Sequence, residues 1–401
     1  MIYDVVIIGA GASGLMAANL LNKEGINYLL LEKNDRVGKK LLITGGKRCN
    51  VTNNLDVDTF INRLTIRNKK FLYPALYTFG PEQVISHFNE NGCPLILENN
   101  FKYFPKSNKS QSIIDTIMKD VDEKRIKYNK TVLKITKEND IFSIETKASN
   151  YQAKHVIIAT GSESFPATGS SGDGLKFASN FDIAYNDFTP AETHVYSKHI
   201  VNNYKEFQGV AIPNTTVQIV GTKIKETGDL LFTHFGLSGP AIYHLSENIY
   251  EESVKGNKLL RFSLTALSES SVRELLNDSS KYVLKQLHQM TTKRVSRKLL
   301  DVLNIDNVKI AELSKKQIND LIDIICRFTV PIDKVEDKTK AYVNKGGILL
   351  KELNPQTMES KKVSNLFFVG ETTDLHGPIG GFNITIAFAT AHLAVYKILE
   401  K

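Results

Sequence analysis

Three glycines and an acid give the first chemical signal: Gly9, Gly11 and Gly14, with Glu32 lying 21 residues beyond Gly11. In this spacing the first glycine lets the chain turn and the second admits an anion to the opening N–H groups of a helix. Those groups belong to Ala12 and Ser13, and the third glycine lets the helix lie close to its strand. A diphosphate suits such a turn, and a carboxylate at Glu32 suits the hydroxyls of an adenosine ribose. Lys33 follows directly. Further along, Lys40-Leu41, Thr44-Gly45, Arg48-Cys49-Asn50, Thr160-Gly161, Gly370-Glu371 and Gly381-Phe382-Asn383-Ile384 bring donors or close backbone approach. Arg48, Cys49, His234 and His376 are the polar groups expected nearest a reacting molecule. Each has a plainer alternative, a buried cysteine or a hydrogen-bonded structural histidine.

The elements that must position these residues can be read around them. Asp4-Val5-Val6-Ile7-Ile8 is an unbroken apolar strand of the buried parallel kind, and Leu15, Ala18 and Leu21 give the next helix its apolar side, with Gly25 at its end. Tyr28 to Leu31 is the second strand. Residues 33–53 are rich in cations and turn-formers and read as a ligand-wrapping loop. Helices are expected between Thr59 and Cys93 and from Lys109 to Lys124, then an antiparallel pair, Thr131 to Thr136 and Ile141 to Thr146. Val156-Ile157-Ile158-Ala159 returns a parallel-type strand that ends on Thr160-Gly161. From Thr189 to about Tyr243 the texture turns to strands; from Ser270 to Phe328 it turns helical, with basic faces. Asn365-Leu366-Phe367-Phe368-Val369 is a late buried strand that would rejoin the opening sheet. The nucleotide domain is therefore split, as 1–188 with 346–401; the insertion comprises a β-rich domain, 189–268 with 329–345, and a helical piece, 269–328.

At 401 residues the chain exceeds one ordinary core, and 42% apolar with 23% charged residues is the composition of a globular protein. The net charge of +8 permits an anionic cofactor or nucleic acid, but the densest basic block, Lys293-Arg294 to Arg297-Lys298, reads as a solvated helix face. Nucleic acid is accordingly disfavoured. Cys49, Cys93 and Cys326 form no CxxC pair, so neither a metal site nor a redox dithiol is expected, and the compartment reads as reducing and cytoplasmic. The first strand begins almost at Met1, without a leader pattern. Ile379 to Tyr396 has no formal charge and is long enough to span a bilayer, but Asn383, Thr385, Thr390 and His392 argue for a buried helix instead.

NAD and FAD share the opening turn. The late return of the chain, with a glycine pair opening a helix, favours FAD, because that helix start carries about half a positive charge and suits the N1 and C2 carbonyl of a reduced flavin. Glu371 suits a ribityl hydroxyl. No second strand-turn-helix nucleotide unit is visible, since Gly169-Ser170-Ser171-Gly172-Asp173-Gly174 has the wrong spacing and no strand before it. That leaves two electron partners for the flavin, dioxygen or a transiently admitted NAD(P)H.

Three stretches carry a closer resemblance. Gly38-Lys39-Lys40-Leu41 with Thr44 to Asn53, Leu231 to Pro240, and Gly370-Glu371 with Asp374, Gly377 and Gly380 to Asn383 resemble the BaiN/YhiN-like NAD(P)/FAD-dependent oxidoreductases, which include aminoacetone-oxidase-like flavoproteins. The likeness runs over essentially the whole chain. It implies an α/β fold, a glutathione-reductase-like FAD-binding Rossmann domain with an inserted β-barrel-like domain and a small helical domain. It also implies FAD contacts from the 40–50 loop, from the Val132 backbone at the adenine, from Thr160-Gly161, from Gly370-Glu371 and from Gly381 to Ile384. Lys47 and Ser162 stand where the family usually has glycine. The activity implied is hydride transfer at flavin N5 on a small organic substrate, either amine oxidation with peroxide release or NAD(P)H-dependent enone reduction. Two rivals are a nucleic-acid-modifying flavoprotein that grips RNA with the helical insert, and an FAD sensor without turnover.

Overall fold

Val5, Val6, Ile7 and Ile8 are at most 4% exposed, as an apolar run must be when both faces of a parallel strand are covered. The strand Ile2–Ile8 pairs in parallel with Tyr28–Leu31 on one side and with Asn150–Ile158 on the other. The sheet runs Ile126–Lys127, Tyr28–Leu31, Ile2–Ile8, Asn150–Ile158, Ile141–Thr146, Val132–Glu138. Asn150–Ile158 is shared along its length: Asn150 to Ala153 pair antiparallel with Ile141–Thr146, while Val156 to Ile158 pair in parallel with Leu366–Phe368. The late strand thus rejoins the opening sheet.

The computed structural model describes residues 1–99 and 101–400. Residue 401, the end of the expected nucleotide domain, lies outside them. By packing the chain divides into two units, Met1–Thr189 with Lys338–Lys401, and Pro190–Asp337. In the first, the helix Ala12–Lys23 covers the sheet and ends where Gly25 takes the left-handed conformation, φ +68°. Helix Phe382–Leu399 is long and apolar enough to cross a membrane, yet 72% of it is buried inside the protein, so it is a core helix.

The segment expected as an irregular wrapping loop is built of short ordered pieces: a helix Lys39–Ile43, a tight turn Thr44–Lys47 and a strand Thr52–Asn53 that pairs with Lys102–Pro105. Gly45 and Gly46, at φ +54° and +67°, end the helix. Pieces this short have no period to read. The helix expected over Lys109 to Lys124 covers only Ser110–Met118.

The second unit holds a seven-stranded antiparallel sheet with Phe328–Pro331 at one edge and Lys334–Val335 at the other. These edge strands follow each other with only Ile332 and Asp333 between them, so the two edges must meet and the sheet curls into a barrel-like ring. Val272, Leu287, Leu299 and Ile325 of the helical stretch are buried in the same cluster as Val217, Phe232 and Phe262 of the sheet. Helices and sheet share one core.

Candidate functional site

Packing dictates two of the three opening glycines. Gly9 turns at φ +101°, and a Cβ there would lie 2.6 Å from the Ala159 carbonyl oxygen; on Gly14 it would lie 1.8 Å from the oxygen of Gly9. Gly11 differs. Its backbone is extended, φ −81° and ψ −164°, and a Cβ would meet nothing within 4 Å. The open space lies over the first turn of Ala12–Lys23, where no acidic side chain and no side-chain cap engages the free N–H groups. This is a cradle for an anion.

Glu32 is 6% exposed. Its Oε2 accepts from the Ala10 N–H at 2.7 Å, and its Oε1 accepts from the Asn34 backbone and side-chain nitrogens at 2.8 and 2.6 Å. These neutral donors orient a carboxylate that keeps lone pairs for two hydroxyls. The Lys130 N–H donates to the Glu32 carbonyl at 2.8 Å, two residues before Val132 opens its own strand. Lys33 is engaged elsewhere: its Nζ is 2.7 Å from Asp173 Oδ2 and also donates to Ser171. Asn34 Nδ2 donates to the Thr168 carbonyl at 3.0 Å. The glycine-rich stretch 169–174, which lacks nucleotide-turn spacing, therefore acts as a wall closing on Lys33 and Asn34.

A second cluster stands farther along the sheet ends. Lys40 Nζ lies 2.6 Å from Glu371 Oε2, and the buried Ser162 hydroxyl donates to the same oxygen at 3.1 Å. Gly161 N–H donates to Thr372 Oγ1 at 3.0 Å, and Gly370 N–H to Thr390 Oγ1 at 2.9 Å. A Cβ on Gly370 would be 2.8 Å from the Ser13 hydroxyl, so this late loop sits directly on the opening turn. Thr160 Oγ1 is buried with no hydrogen-bond partner among the described residues. Lys40→Gln is expected to weaken FAD binding about tenfold, the ~1.4 kcal/mol of one charge-assisted hydrogen bond. Ser162→Gly should change it less than about threefold, since Glu371 keeps its cation; fluorescence titration of the apoprotein measures both.

The start of Phe382–Leu399 is latched by the segment around Asn50. Thr52 and Thr385 hydroxyls are 2.8 Å apart, and Asn53 Nδ2 donates to the Gly380 carbonyl at 3.1 Å. With its amide in the orientation that satisfies both ends, Asn50 accepts from Gly381 N–H at 3.1 Å and donates to the Thr52 carbonyl at 2.9 Å. Asn383 accepts from Gly377 N–H at 2.9 Å and donates to its carbonyl at 2.7 Å, tying the preceding loop. Gly381, at φ +83°, would place a Cβ 2.4 Å from the Thr52 backbone. Phe382 is buried against Phe60, while Asn383 and Ile384 are half-buried. With no acid in its first turn, this helix start presents uncompensated positive charge.

The four residues expected nearest a reacting molecule fare differently. Cys49 does not face a site: it is 0% exposed, and burial pushes its thiol up to about 12, so at neutral pH it is an uncharged core residue. Arg48 is committed to Glu98 and Asn108, with its Nη1 3.1 Å from Glu98 Oε2 and its guanidinium 4.4 Å from the centre of the Phe104 ring. Leu41 is buried and Thr44 Oγ1 donates to the Leu41 carbonyl at 2.7 Å, so both serve the local turn. His376 is 4% exposed on the loop that Asn383 ties. His234 belongs to the other unit, exposed in a turn with its ring 4.9 Å from Phe235. That unit also holds a half-open cavity of about 470 Å³ lined by Tyr196, Lys198, Phe235 and Lys334. Sequence reasoning missed Asp173, Thr372 and Thr385, because each acts through a partner remote in the chain, and Asn34, whose side chain bridges Glu32 two residues away and the distant Thr168 carbonyl.

The open Gly11 cradle, the oriented Glu32 carboxylate and the late helix converging on one sheet end define a Rossmann-type domain of the FAD-binding class. The chain belongs to the HI0933-like family, whose Rossmann-domain model matches residues 3–397. It is 29% identical to the ribosomal RNA dihydrouridine synthase of Escherichia coli, over 97% of this chain and 96% of that protein. It is 27% identical to the 3-dehydro-bile acid delta(4,6)-reductase of Clostridium scindens, over 98% of each. Its fold resembles a quinol fumarate reductase chain from E. coli, with a TM-score of 0.52 at 14% identity, over 100% of this chain and 70% of that one.

Proposed function

We propose that this FAD-dependent oxidoreductase is a reductase that saturates a carbon–carbon double bond conjugated to a carbonyl, and that its substrate is uridine in RNA. The reading is carried by full-length likeness to two proteins whose names both describe reductions, one on ribosomal RNA and one on a dienone. The residues fit FAD. Gly11 leaves room for a diphosphate, Glu32 offers lone pairs to a ribose, and Glu371 with Lys40 and the buried Thr160 hydroxyl offers polar partners between them.

Bound FAD supplies hydride chemistry at N5, with NAD(P)H as the proposed donor. The chain supplies the rest. The Ala12–Lys23 start would neutralise the diphosphate of bound FAD, and the Phe382–Leu399 start would stabilise negative charge on its ring. The second hydrogen of the reduction is a proton. His376, on the tied loop before that helix, is proposed to deliver it to the substrate carbon next to the carbonyl. A cytoplasmic location accords with an RNA substrate.

Anaerobic titration tests this. NADPH or NADH should bleach the flavin band, and a uridine-containing oligonucleotide should restore it with one dihydrouridine formed per flavin reoxidised. His376→Asn should leave the bleaching unchanged and slow the uridine step by about 10²-fold or more. Bleaching by an amine alone, with peroxide on admission of air, would replace this reading with the amine-oxidase one. A flavin inert to both would mark a sensor.

A further inference from the structure

The positive charge of the chain is unevenly placed. Pro190–Asp337, which contains the helical stretch, carries 19 Lys and Arg against 18 Asp and Glu, whereas the rest of the chain carries 32 against 25. Within that remainder, residues 36–70 and 98–109 carry 12 against 3. The fold gathers these two stretches. Thr52–Asn53 pairs with Lys102–Pro105, Asn54 N–H donates to the Phe101 carbonyl at 3.1 Å, and Arg48 Nε donates to Asn108 at 2.8 Å.

The three acids there are already engaged. Asp56 caps its own helix by accepting from Thr59 N–H at 2.8 Å, Asp58 binds the Tyr73 hydroxyl, and Glu98 holds Arg48. By contrast Lys47, Arg63, Arg67, Lys70, Lys106 and Lys109 are exposed and make no ion pair among the described residues. Aromatic rings lie between them: Arg63 stands 4.9 Å over the half-buried Phe101, and Arg48 stands over Phe104. The patch also reaches the site. Leu64 lies against Gly377, where a Cβ would be 2.8 Å from it, and Phe101 against Gly380, at 3.0 Å. Exposed cations without acidic partners among the described residues, with Arg63 of their number anchored over a ring, suit the phosphates of a nucleic-acid backbone.

Resting on the uridine reading, we propose that this face, the Thr52–Asn53 and Lys102–Pro105 strands with the 63–70 loop, is where single-stranded RNA lies. The helical stretch is not the grip. The RNA backbone runs across Arg63, Arg67 and Lys70, which brings one base to the Gly377–Gly381 loop.

Fluorescence anisotropy with a labelled polyuridine oligonucleotide, over a range of salt concentrations, tests the proposal on the flavin-loaded protein. The triple variant Arg63→Ala, Arg67→Ala, Lys70→Ala should bind at least about tenfold more weakly at low salt. Its salt slope should be shallower by about 2, for three lost contacts at about 0.7 each. The matched variant Lys293→Ala, Arg294→Ala, Arg297→Ala should bind as the parent does. Flavin content and melting temperature confirm that both fold. If only the second variant loses binding, the assignment of the face is overturned and uridine reduction stands. If the parent binds no RNA even at low salt, the face and the uridine reading both fall, and NADPH bleaching alone then decides whether the reductase survives.

Discussion

Gly11→Val should lose FAD, with Kd raised about 10²-fold or more, while the apoprotein melts within about 4 °C of the parent. The two effects separate because Gly11 has an ordinary extended backbone and a Cβ there meets nothing within 4 Å. The added methyls enter only the space reserved for a diphosphate. A cost to the apoprotein comes from helix capping alone, at most about 1 kcal/mol. Gly14→Val is the opposite case. Its Cβ would be 1.8 Å from the Gly9 oxygen, so helix and strand must part, and a loss above about 4 kcal/mol is expected whether or not FAD is present. Differential scanning fluorimetry of apoprotein and reconstituted protein reads both. Retention of yellow flavin by Gly11→Val would show that the diphosphate lies elsewhere.

Acid should unfold the protein through His392 and His87. His392 is 4% exposed inside Phe382–Leu399, stacked on Phe79 with ring centres 3.6 Å apart, and neither nitrogen has a hydrogen-bond partner among the described residues. Burial pushes its imidazole down to about 3, with His87 and Lys23 adding repulsion; burial, then Lys23, pushes His87 down to about 4. Asp120, paired with Lys23 at 3.0 Å, opposes this only in part. Both histidines fold in the neutral form and take up protons more readily when unfolded. Their contribution is therefore intact above about pH 6.5 and is lost progressively as the pH falls toward the folded values. At pH 5 the loss from His392 alone is about 2 kcal/mol, with a smaller one from the less buried His87. His392→Phe keeps the stacking and removes the unpaired nitrogens. It should raise the melting temperature by several degrees at pH 7 and by more at pH 5, flattening the profile. Released flavin fluorescence should follow the same curve, because the start of this helix is the part proposed to face the flavin ring. An unchanged pH slope in that variant would place the acid sensitivity elsewhere.

Sequence legibility followed the range of the physics involved. Gly9 and Gly14 could be read because the turn at Gly9, φ +101°, and the contact of Gly14 with the Gly9 oxygen are both set within the motif, and Val5 to Ile8 because a strand covered on both faces must be apolar throughout. Leu366–Phe368 was visible as a late strand for the same reason. The clasp between Lys40 and Glu371, and that between Thr52 and Thr385, join residues more than 300 positions apart, and no spacing rule reaches so far. Cys49 misled because chain position told nothing about which way its thiol points, and it points into the core. The 169–174 glycines have neither the spacing nor the preceding strand of a nucleotide turn. Their packing against Asn34, where a Cβ on Gly169 would be 2.4 Å from the amide nitrogen, is a wall's geometry that no turn motif encodes.

The divided strand Asn150–Ile158 has a consequence for synthesis. Val156 to Ile158 leave the ribosome roughly 200 residues before Leu366 to Phe368, a wait of about 10–40 s at about 5–20 residues per second. Through that interval the half-built sheet has a bare hydrogen-bonding margin, open to mispairing with any neighbouring nascent chain. Pro190–Asp337, whose strands and helices are contiguous in the chain, can condense in the meantime. The flavin pocket is then among the last parts to mature, and the yellow colour of a preparation reports that translation reached its final helix.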